Sequence, residues 1–255
     1  MNKSANYPSL QEQTVFITGG ATGIGATMVT AFCQQGARVA FVDIDDVAAQ
    51  KLIAQISDAN IPAPWFRQVD VTDIDQLQSA IADASEELGQ IHSLINNVAN
   101  DSRHDPMQMN ETAWRKCMAV NLDASFFASQ AAAKIMRSQQ RGSIVNLSSI
   151  NAILGPANMT GYVTAKAGIN GMTKALAKDL GNSNIRVNAI LPGWVVTDRQ
   201  LNTWLTEDAE REWSRQVALS QRITPDDVAN LALFLAADES RMITGQCLTI
   251  DAGRT

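Results

Sequence analysis

Short apolar runs rich in β-branched residues alternate along the chain with longer amphipathic segments, and this alternation limits the possible folds. The short runs predict strands at 14–18, 38–43, 65–69, 93–96, 143–147, 186–190 and 247–250. The amphipathic segments predict helices at 25–35, 47–57, 74–88, 111–137, 161–180 and 226–236. Strand followed by helix, repeated with short connections, is typical of an α/β fold with a parallel sheet covered on both faces. We expect residues 1–255 to form one doubly wound domain.

Composition excludes several classes of protein. A net charge of −6 argues against nucleic acid as the main partner, because proteins that bind it rely on basic surface. No apolar stretch approaches the ~20 residues that span a bilayer, and the first ten residues do not resemble a secretory signal. We therefore expect a cytoplasmic protein without a membrane partner. Cys33, Cys117 and Cys247 are expected to be small buried hydrophobic residues, and no metal site is expected.

The segment 193–222 interrupts the alternation. It follows the sixth predicted strand, contains Trp194, Trp204 and Trp213, and carries many charges. Ligands of doubly wound sheets bind beyond the carboxyl ends of the strands, which is where this segment begins. We interpret it as a lid that covers the substrate, because long excursions in compact domains are often functional. The alternative is a pair of surface helices with aromatic anchors.

A glycine-rich turn follows the first predicted strand and leads into a helix. Its sequence, from Thr18 to Gly25, is Thr-Gly-Gly-Ala-Thr-Gly-Ile-Gly. Glycines allow backbone N–H groups to approach a pyrophosphate, and the helix N-terminus favours the anion. Asp43 closes the second strand, where a carboxylate accepts hydrogen bonds from the ribose hydroxyls and repels a 2′-phosphate. The pattern predicts NAD as cofactor; the alternative is that Asp43 belongs to a turn.

Three residues with polar side chains predict proton-transfer chemistry. Lys166 follows Tyr162 by one helical turn, and Ser149 precedes them at the end of the fifth strand. An ordinary Tyr, with a pKa near ~10, is a poor base at neutral pH, whereas a nearby ammonium favours the phenolate. Ser149 would hold the reacting oxygen. One alternative is that the adjacent Ser148 has this role, and another is that Tyr162 is only a core aromatic residue.

At this point the sequence resembles the short-chain dehydrogenase/reductase family over essentially its whole length. The matches are the turn 18–25, Asp70-Val71, Asn96-Asn97-Val98-Ala99, Asn121, Ser149, Tyr162 with Lys166, and Pro192-Gly193. One departure is Ala99, where the family usually has Gly. The resemblance implies a Rossmann domain and, commonly, a homotetramer. The cofactor-binding residues that the motifs and the resemblance give are Gly19, Thr22, Gly23, Ile24, Gly25, Asp43, Asp70, Val71, Asn97, Tyr162, Lys166, Pro192, Gly193, Val195 and Thr197.

The resemblance also assigns roles. Tyr162 is the general base, Lys166 lowers the pKa of the phenol and holds the nicotinamide ribose, and Ser149 stabilises the reacting oxygen. Asn121 anchors a water through its main-chain carbonyl and so connects Lys166 to solvent. The alternative is that Asn121 is a polar residue inside the helix that forms only local hydrogen bonds. Asp70 meets the adenine amino group, and Val195 and Thr197 hold the carboxamide of NAD.

Polar residues beside these motifs predict a polyhydroxylated substrate. The expected substrate-binding residues are Asn100, Ser102, Arg103, His104, Ser149, Asn151, Tyr162 and Trp194. Within the family, the chain looks like the sugar dehydrogenases, which oxidise an aldose at its anomeric carbon to the lactone. Pentoses such as D-xylose or L-arabinose are the leading candidates. The alternative functions are another NAD-linked alcohol or polyol dehydrogenase, a carbonyl reductase, or a catalytically idle dinucleotide sensor. The alternative for residues 100–105 is a solvated loop that does not contact substrate.

Overall fold

The computed structural model describes residues 5–197 and 206–255. Its strands are β1 (Thr14–Thr18), β2 (Arg38–Asp43), β3 (Trp65–Gln68), β4 (Ile91–Asn96), β5 (Gly142–Leu147), β6 (Ile185–Pro192) and β7 (Cys247–Ile250). They form one sheet in the order β3-β2-β1-β4-β5-β6-β7, with every neighbouring pair parallel. The order reverses between β1 and β4, so the sheet has a topological switch point there.

The described helices cover both faces of this sheet. They are α1 (Gly23–Gln34), α2 (Asp46–Asp58), α3 (Ile74–Leu88), α4 (Glu111–Met118), α5 (Ala124–Gln139), α6 (Asn151–Leu154), α7 (Thr160–Leu180), α8 (Glu207–Gln216) and α9 (Pro225–Ala236). Apolar residues of α1, α2 and α9 form a core on one face of the sheet. Those of α3, α5 and α7 form a core on the other face. The predicted doubly wound parallel sheet is confirmed.

Local side-chain chemistry sets several helix ends. Asp45, Asp73 and Asn110 cap α2, α3 and α4, because each side-chain oxygen accepts a hydrogen bond from a first-turn N–H. Thr224 and Asp227 form a capping box at the start of α9. These caps lie one or two residues from the predicted starts, so the sequence pattern located the elements well.

The long helix predicted at 111–137 is interrupted. A π-helical turn, Ala119–Asp123, separates α4 from α5. Such a turn inserts one extra residue into the helical ladder, and the hydrophobic pattern of a sequence does not reveal it. The strand predicted at 186–190 extends through Pro192, which lies in register with Ile250 at the end of the sheet.

Buried side-chain amides join the centre of the sheet to the helices. Asn96 on β4 donates to Asn146 on β5 at 2.8 Å and to Ser129 on α5 at 2.9 Å. Asn146 in turn donates to Thr173 on α7 at 3.0 Å. Buried polar groups must be paired to be tolerated, so this network fixes α5 and α7 relative to the strand ends that carry the site.

The helices of 5–197 and 206–255 include none whose length and hydropathy suit a membrane crossing. Over the same residues, His, Cys, Asp and Glu side chains form no group of three or more suited to hold a metal ion. Of the segment 193–222, residues 198–205 lie outside the described part of the chain, and Trp204 is one of them.

Candidate active site

A cleft of about 1240 Å³ opens at the carboxyl ends of the strands, where the order of the sheet reverses. All fifteen expected cofactor residues line it: Gly19, Thr22, Gly23, Ile24, Gly25, Asp43, Asp70, Val71, Asn97, Tyr162, Lys166, Pro192, Gly193, Val195 and Thr197. The loops after β1, β2, β3, β4, β5 and β6 therefore contribute to one cavity. This is where ligands of open α/β sheets bind.

The glycine-rich turn is so tight that Gly19 and Gly25 have no room for a side chain. Gly19 has a φ of +69°, and a Cβ there would lie 2.8 Å from Val98 Cγ2. A Cβ on Gly25 would lie 1.8 Å from the carbonyl oxygen of Gly19. Asn97 donates to that same carbonyl at 2.8 Å. The turn thus brings bare backbone and the N-terminus of α1 to the cleft, a cradle that fits the pyrophosphate of a dinucleotide.

Asp43 stands beside this turn. Its Oδ2 accepts the Ala21 N–H at 2.9 Å, and its Oδ1 accepts the Asp45 N–H at 3.1 Å. The carboxylate therefore holds the glycine-rich turn through Ala21, takes part in the strand-end turn through Asp45, as the alternative interpretation required, and also lines the cleft. Each carboxylate oxygen has two acceptor positions, so capacity for ribose hydroxyls remains. The two interpretations are compatible.

Asp70 lines the cleft next to Val71. The Thr72 N–H and hydroxyl both donate to Asp70 Oδ1, at 2.9 and 2.7 Å. These hydrogen bonds lower the pKa of the Asp70 carboxyl, with a smaller contribution from the charge of Lys116. The group is therefore an ionised acceptor at neutral pH, as an adenine amino group would need.

Tyr162 and Lys166 lie on the first turns of α7, and both are buried at the floor of the cleft. The ammonium nitrogen of Lys166 lies 5.7 Å from the centre of the Tyr162 ring and donates to the Leu147 carbonyl at 2.6 Å. Burial lowers the pKa of Lys166 to about 8. At neutral pH the lysine is still mostly charged, so it can favour ionisation of the neighbouring phenol.

The two adjacent serines have different partners. Ser148 donates its hydroxyl to the main-chain carbonyl of Lys166 at 3.0 Å, which fastens β5 to α7. Ser149 Oγ accepts the Asn151 N–H at 3.1 Å, which leaves its hydroxyl proton to donate elsewhere. The geometry favours Ser149 as the serine that contacts a reacting oxygen.

Asn121 lies in the π-helical turn and is fully buried. Its side chain accepts the Asn100 N–H at 2.8 Å and donates to the carbonyls of Asn100 and Cys117, at 3.1 and 3.0 Å. The side chain thus fixes the loop after β4, and it does not line the cleft. The expected water relay uses the main-chain carbonyl, and a π-helical turn frees carbonyls from the usual helical bonds; the relay stays a prediction.

The structure brings together most of the expected substrate residues. Asn100, Arg103, Ser149, Asn151, Tyr162 and Trp194 line the cleft. Ser102 and His104 are not among its lining residues. Ser102 donates to Asn100 Oδ1. His104 Nε2 accepts the Gly161 N–H at 3.3 Å, and the main-chain N–H of His104 donates to the Asn158 carbonyl at 2.8 Å. His104 therefore supports the start of α7, whereas we expected it to contact substrate.

Several cleft residues were not predicted from the sequence. On α8 they are Glu212, Trp213 and Gln216, and beyond β7 there is Arg254. The spacing of the three α8 residues, which places them on one helix face, was the available signal. Ala99, which replaces the usual glycine, is not among the non-glycine residues with positive φ. Its methyl group is therefore not held in the left-handed backbone conformation that favours glycine.

Comparison with known proteins agrees with this geometry. A family model described as enoyl-(acyl carrier protein) reductase matches residues 19–255. The chain belongs to the short-chain dehydrogenase/reductase family and is an oxidoreductase of the kind that uses a nicotinamide cofactor. Together with the cleft, this membership confirms the expected class of protein.

Two curated relatives extend over almost the whole chain. The chain is 43% identical to a probable galactose dehydrogenase of Rhizobium meliloti, over 98% of each chain. It is 40% identical to a D-xylose 1-dehydrogenase of Caulobacter vibrioides, also over 98% of each chain. A solved structure of a putative short-chain alcohol dehydrogenase from Sinorhizobium meliloti superposes with a TM-score of 0.92 at 29% identity, covering 97% of this chain and 98% of that one. The expected similarity to sugar dehydrogenases is confirmed.

Proposed function

We propose that the protein is an NAD-dependent sugar dehydrogenase that oxidises the anomeric carbon of an aldose to the lactone. The observation that carries the proposal is the placement of Ser149, Tyr162 and Lys166 in the same cleft as the glycine-rich turn. The galactose and D-xylose dehydrogenases that the chain resembles support a sugar as the substrate.

The residues of the cleft divide the work. The bound nicotinamide supplies the hydride acceptor. Tyr162 takes the proton of the anomeric hydroxyl, and the ammonium of Lys166 stabilises the phenolate before the transfer. Ser149 donates a hydrogen bond from its hydroxyl to the reacting oxygen, whose negative charge grows as the proton leaves. Loss of that proton to Tyr162 and of a hydride from C1 to the cofactor leaves a carbonyl group at C1, which in a cyclic aldose is a lactone.

The charges around Asp43 support NAD over NADP. Asp43 carries a negative charge beside the expected ribose position, and its neighbour Ile44 is 66% exposed and apolar. Among the described residues that line the cleft, the cations are Arg103, Lys116, Lys166 and Arg254. None of them belongs to the turn 18–25 or to the end of β2, so neither of these described elements supplies a cation to compensate a 2′-phosphate.

The polar walls of the cleft support a sugar over an apolar substrate. Asn100, Arg103, Asn151, Glu212 and Gln216 surround the same cavity as the catalytic residues. Their side chains supply both donors and acceptors, as neighbouring hydroxyl groups require. An acyl chain or steroid would offer these groups no hydrogen bonds in place of those to water, which costs binding energy.

A second candidate function is reduction of a carbonyl substrate or oxidation of another alcohol by the same residues. The family model that matches the chain is described as a reductase. Microscopic reversibility makes Tyr162 the proton donor in that direction. The same residues therefore serve both directions of the reaction.

A panel of aldoses, polyols and ketones tests the proposal, with NAD, NADP or their reduced forms followed by nicotinamide absorbance. We expect an aldose with NAD to give the highest kcat/KM and a lactone as the first product. The same panel with Tyr162→Phe controls for contaminating dehydrogenases. A protein that turns over ketones or polyols but no aldose would support the second candidate.

A further inference from the structure

Helix α8 contributes one polar face to the cleft. Glu212 and Gln216 lie one helical turn apart, and Gln216 Nε2 donates to Glu212 Oε1 at 3.3 Å. Both side chains are solvent-accessible and line the cavity that contains Ser149 and Tyr162. Such pairs are common on helix surfaces, but this pair faces the cavity.

Arg222 fastens this helix to the loop after β6. Its guanidinium lies 3.9 Å from the centre of the Trp213 ring on α8 and 4.9 Å from that of Trp194. The same guanidinium forms a two-bond ion pair with Glu210, in which Nε donates to Oε1 at 2.8 Å and Nη2 donates to Oε2. Cation–π contacts and a bidentate ion pair together restrict both position and rotation. The cleft-facing side of α8 is therefore held relative to Trp194.

Trp213 adds a donor at the base of the same wall. Its side chain is only 2% exposed, yet it lines the cleft. Its indole N–H has no acceptor within residues 5–197 and 206–255. Buried donors are almost always paired, so a ligand oxygen at this wall would satisfy a group that the fold leaves without a partner.

We propose that Glu212 and Gln216, on the helix held by Arg222, determine which sugar the enzyme accepts by binding hydroxyl groups away from the reacting carbon. This proposal rests on the proposed sugar dehydrogenase function. The Glu212 carboxylate accepts from hydroxyls, and the Gln216 amide both donates and accepts. Two such groups one helical turn apart distinguish epimers, because inverting one carbon moves a hydroxyl away from its partner. Trp213 N–H supplies a third contact.

The contact energy sets the expected size of the effect. A hydrogen bond to a charged group is worth about tenfold or more in binding. Glu212→Gln keeps the shape of the side chain and removes the charge, and Gln216→Ala removes the amide. Trp213→Phe keeps an aromatic ring beside Arg222 and removes only the N–H. The matched control is Arg215→Ala, since Arg215 is exposed on the same helix and does not line the cleft.

The experiment measures kcat and KM of the full chain with NAD for epimeric aldoses and their monodeoxy analogues. Calorimetry of the best sugar added to the NADH-loaded protein gives a readout independent of turnover. We expect Glu212→Gln and Gln216→Ala to raise the sugar KM about tenfold and to lose discrimination against one deoxy analogue. The affinity of both variants for NADH should stay within about twofold of that of the parent. The sugar KM of the Arg215→Ala control should also stay within about twofold of the parent value.

Three outcomes separate the possibilities. If the parent oxidises aldoses and the variants of Glu212 and Gln216 both keep its sugar preference, the specificity assignment is overturned and the proposed function stands. Weakened NADH binding with an unchanged sugar KM also overturns it, because the helix would then contact cofactor. A parent without activity on any aldose overturns the assignment together with the proposed function.

Discussion

The ammonium of Lys166 lies 5.7 Å from the centre of the Tyr162 ring, while its nitrogen donates to the Leu147 carbonyl at 2.6 Å. That carbonyl ends β5, directly before Ser148 and Ser149, so one lysine links the strand that carries the serine to the helix that carries the phenol. The charge is held in a fully buried position where its effect on a neighbour is strong. This contact supports the proposed role of Tyr162 and Lys166 as a proton-transfer pair.

Replacement of Tyr162 by Phe tests the proton-transfer role. General base catalysis contributes about 10²–10⁴-fold, so Tyr162→Phe should lose at least about a hundredfold in kcat with the best substrate. Fluorescence titration should show NADH affinity within a few-fold of the parent, because the ring itself remains. Retained turnover would refute the assignment.

Burial of Lys166 makes stability depend on pH in a defined direction. The pKa of Lys166 falls from 10.5 to about 8, since burial disfavours the charged form. Between these values the unfolded chain binds more protons than the folded protein, so this group makes the protein more stable as pH rises. Relative to Lys166→Met, the cofactor-free parent should gain up to about 3 kcal/mol in free energy of unfolding from pH 8 to 10.5.

Urea unfolding of both proteins across that pH range measures the effect. Lys174→Met is the control, because Lys174 is exposed on the same helix. The unfolding free energy of this control should change with pH in the same way as that of the parent. If the unfolding free energy of Lys166→Met also changed with pH in parallel with that of the parent, Lys166 would not be a buried, titrating ammonium.

The charge of Asp43 is expected to set the choice of cofactor. Asp43→Asn keeps an oxygen for the Ala21 N–H and removes the charge, whereas Asp43→Ala removes both. Each should reduce the ratio of kcat/KM for NAD over NADP by about tenfold or more, because one unfavourable charge contact is lost. Adding Ile44→Arg should raise NADP activity further.

The Asp43→Asn variant separates recognition from support of the turn. If only Asp43→Ala changes the cofactor ratio, the carboxylate acts through the glycine-rich turn and not on the ribose. Thermal unfolding of the two variants reports how much each disturbs the turn.

Gly25 should tolerate no side chain. A Cβ there would lie 1.8 Å from the Gly19 carbonyl oxygen, so Gly25→Ala must displace the turn. We expect a loss of NADH affinity of at least about tenfold and a lower Tm, since the cost of forced backbone movement is on the order of 1–3 kcal/mol. Gly171→Ala is the control, because nothing lies within 4 Å of a Cβ on that residue of α7. A Gly25→Ala protein with normal NADH binding would show that the turn adapts.

The sequence alone predicted which residues line the proposed cofactor-binding part of the cleft, because each of them lies at or next to the end of a strand or on one helix. The turn 18–25, Asp43 and Asp70 each follow a strand, and parallel strands end at one edge of the sheet. Lys166 and Tyr162 were recognisable because a helix fixes the spacing of i and i+4.

The substrate half was harder to predict because it depends on packing between distant elements. His104 stands in a polar loop next to Arg103, yet its ring turns to the Gly161 N–H of α7. Glu212 and Gln216 reach the cleft because Arg222 packs between two tryptophans far apart in sequence. The spacing of Glu212 and Gln216 shows that they share a helix face, but it does not show which way that face turns.

The π-helical turn at Ala119–Asp123 has a consequence for the whole helical segment. Each residue of an α-helix advances the rotation by about 100°, so the one extra residue sets which side of α5 meets the sheet. Deleting a single residue there would restore regular winding and turn Ala128, Ala132 and Met136 away from the interior that they now fill. The π-helical turn and the packing of α5 against the sheet are thus coupled, and neither could be altered alone.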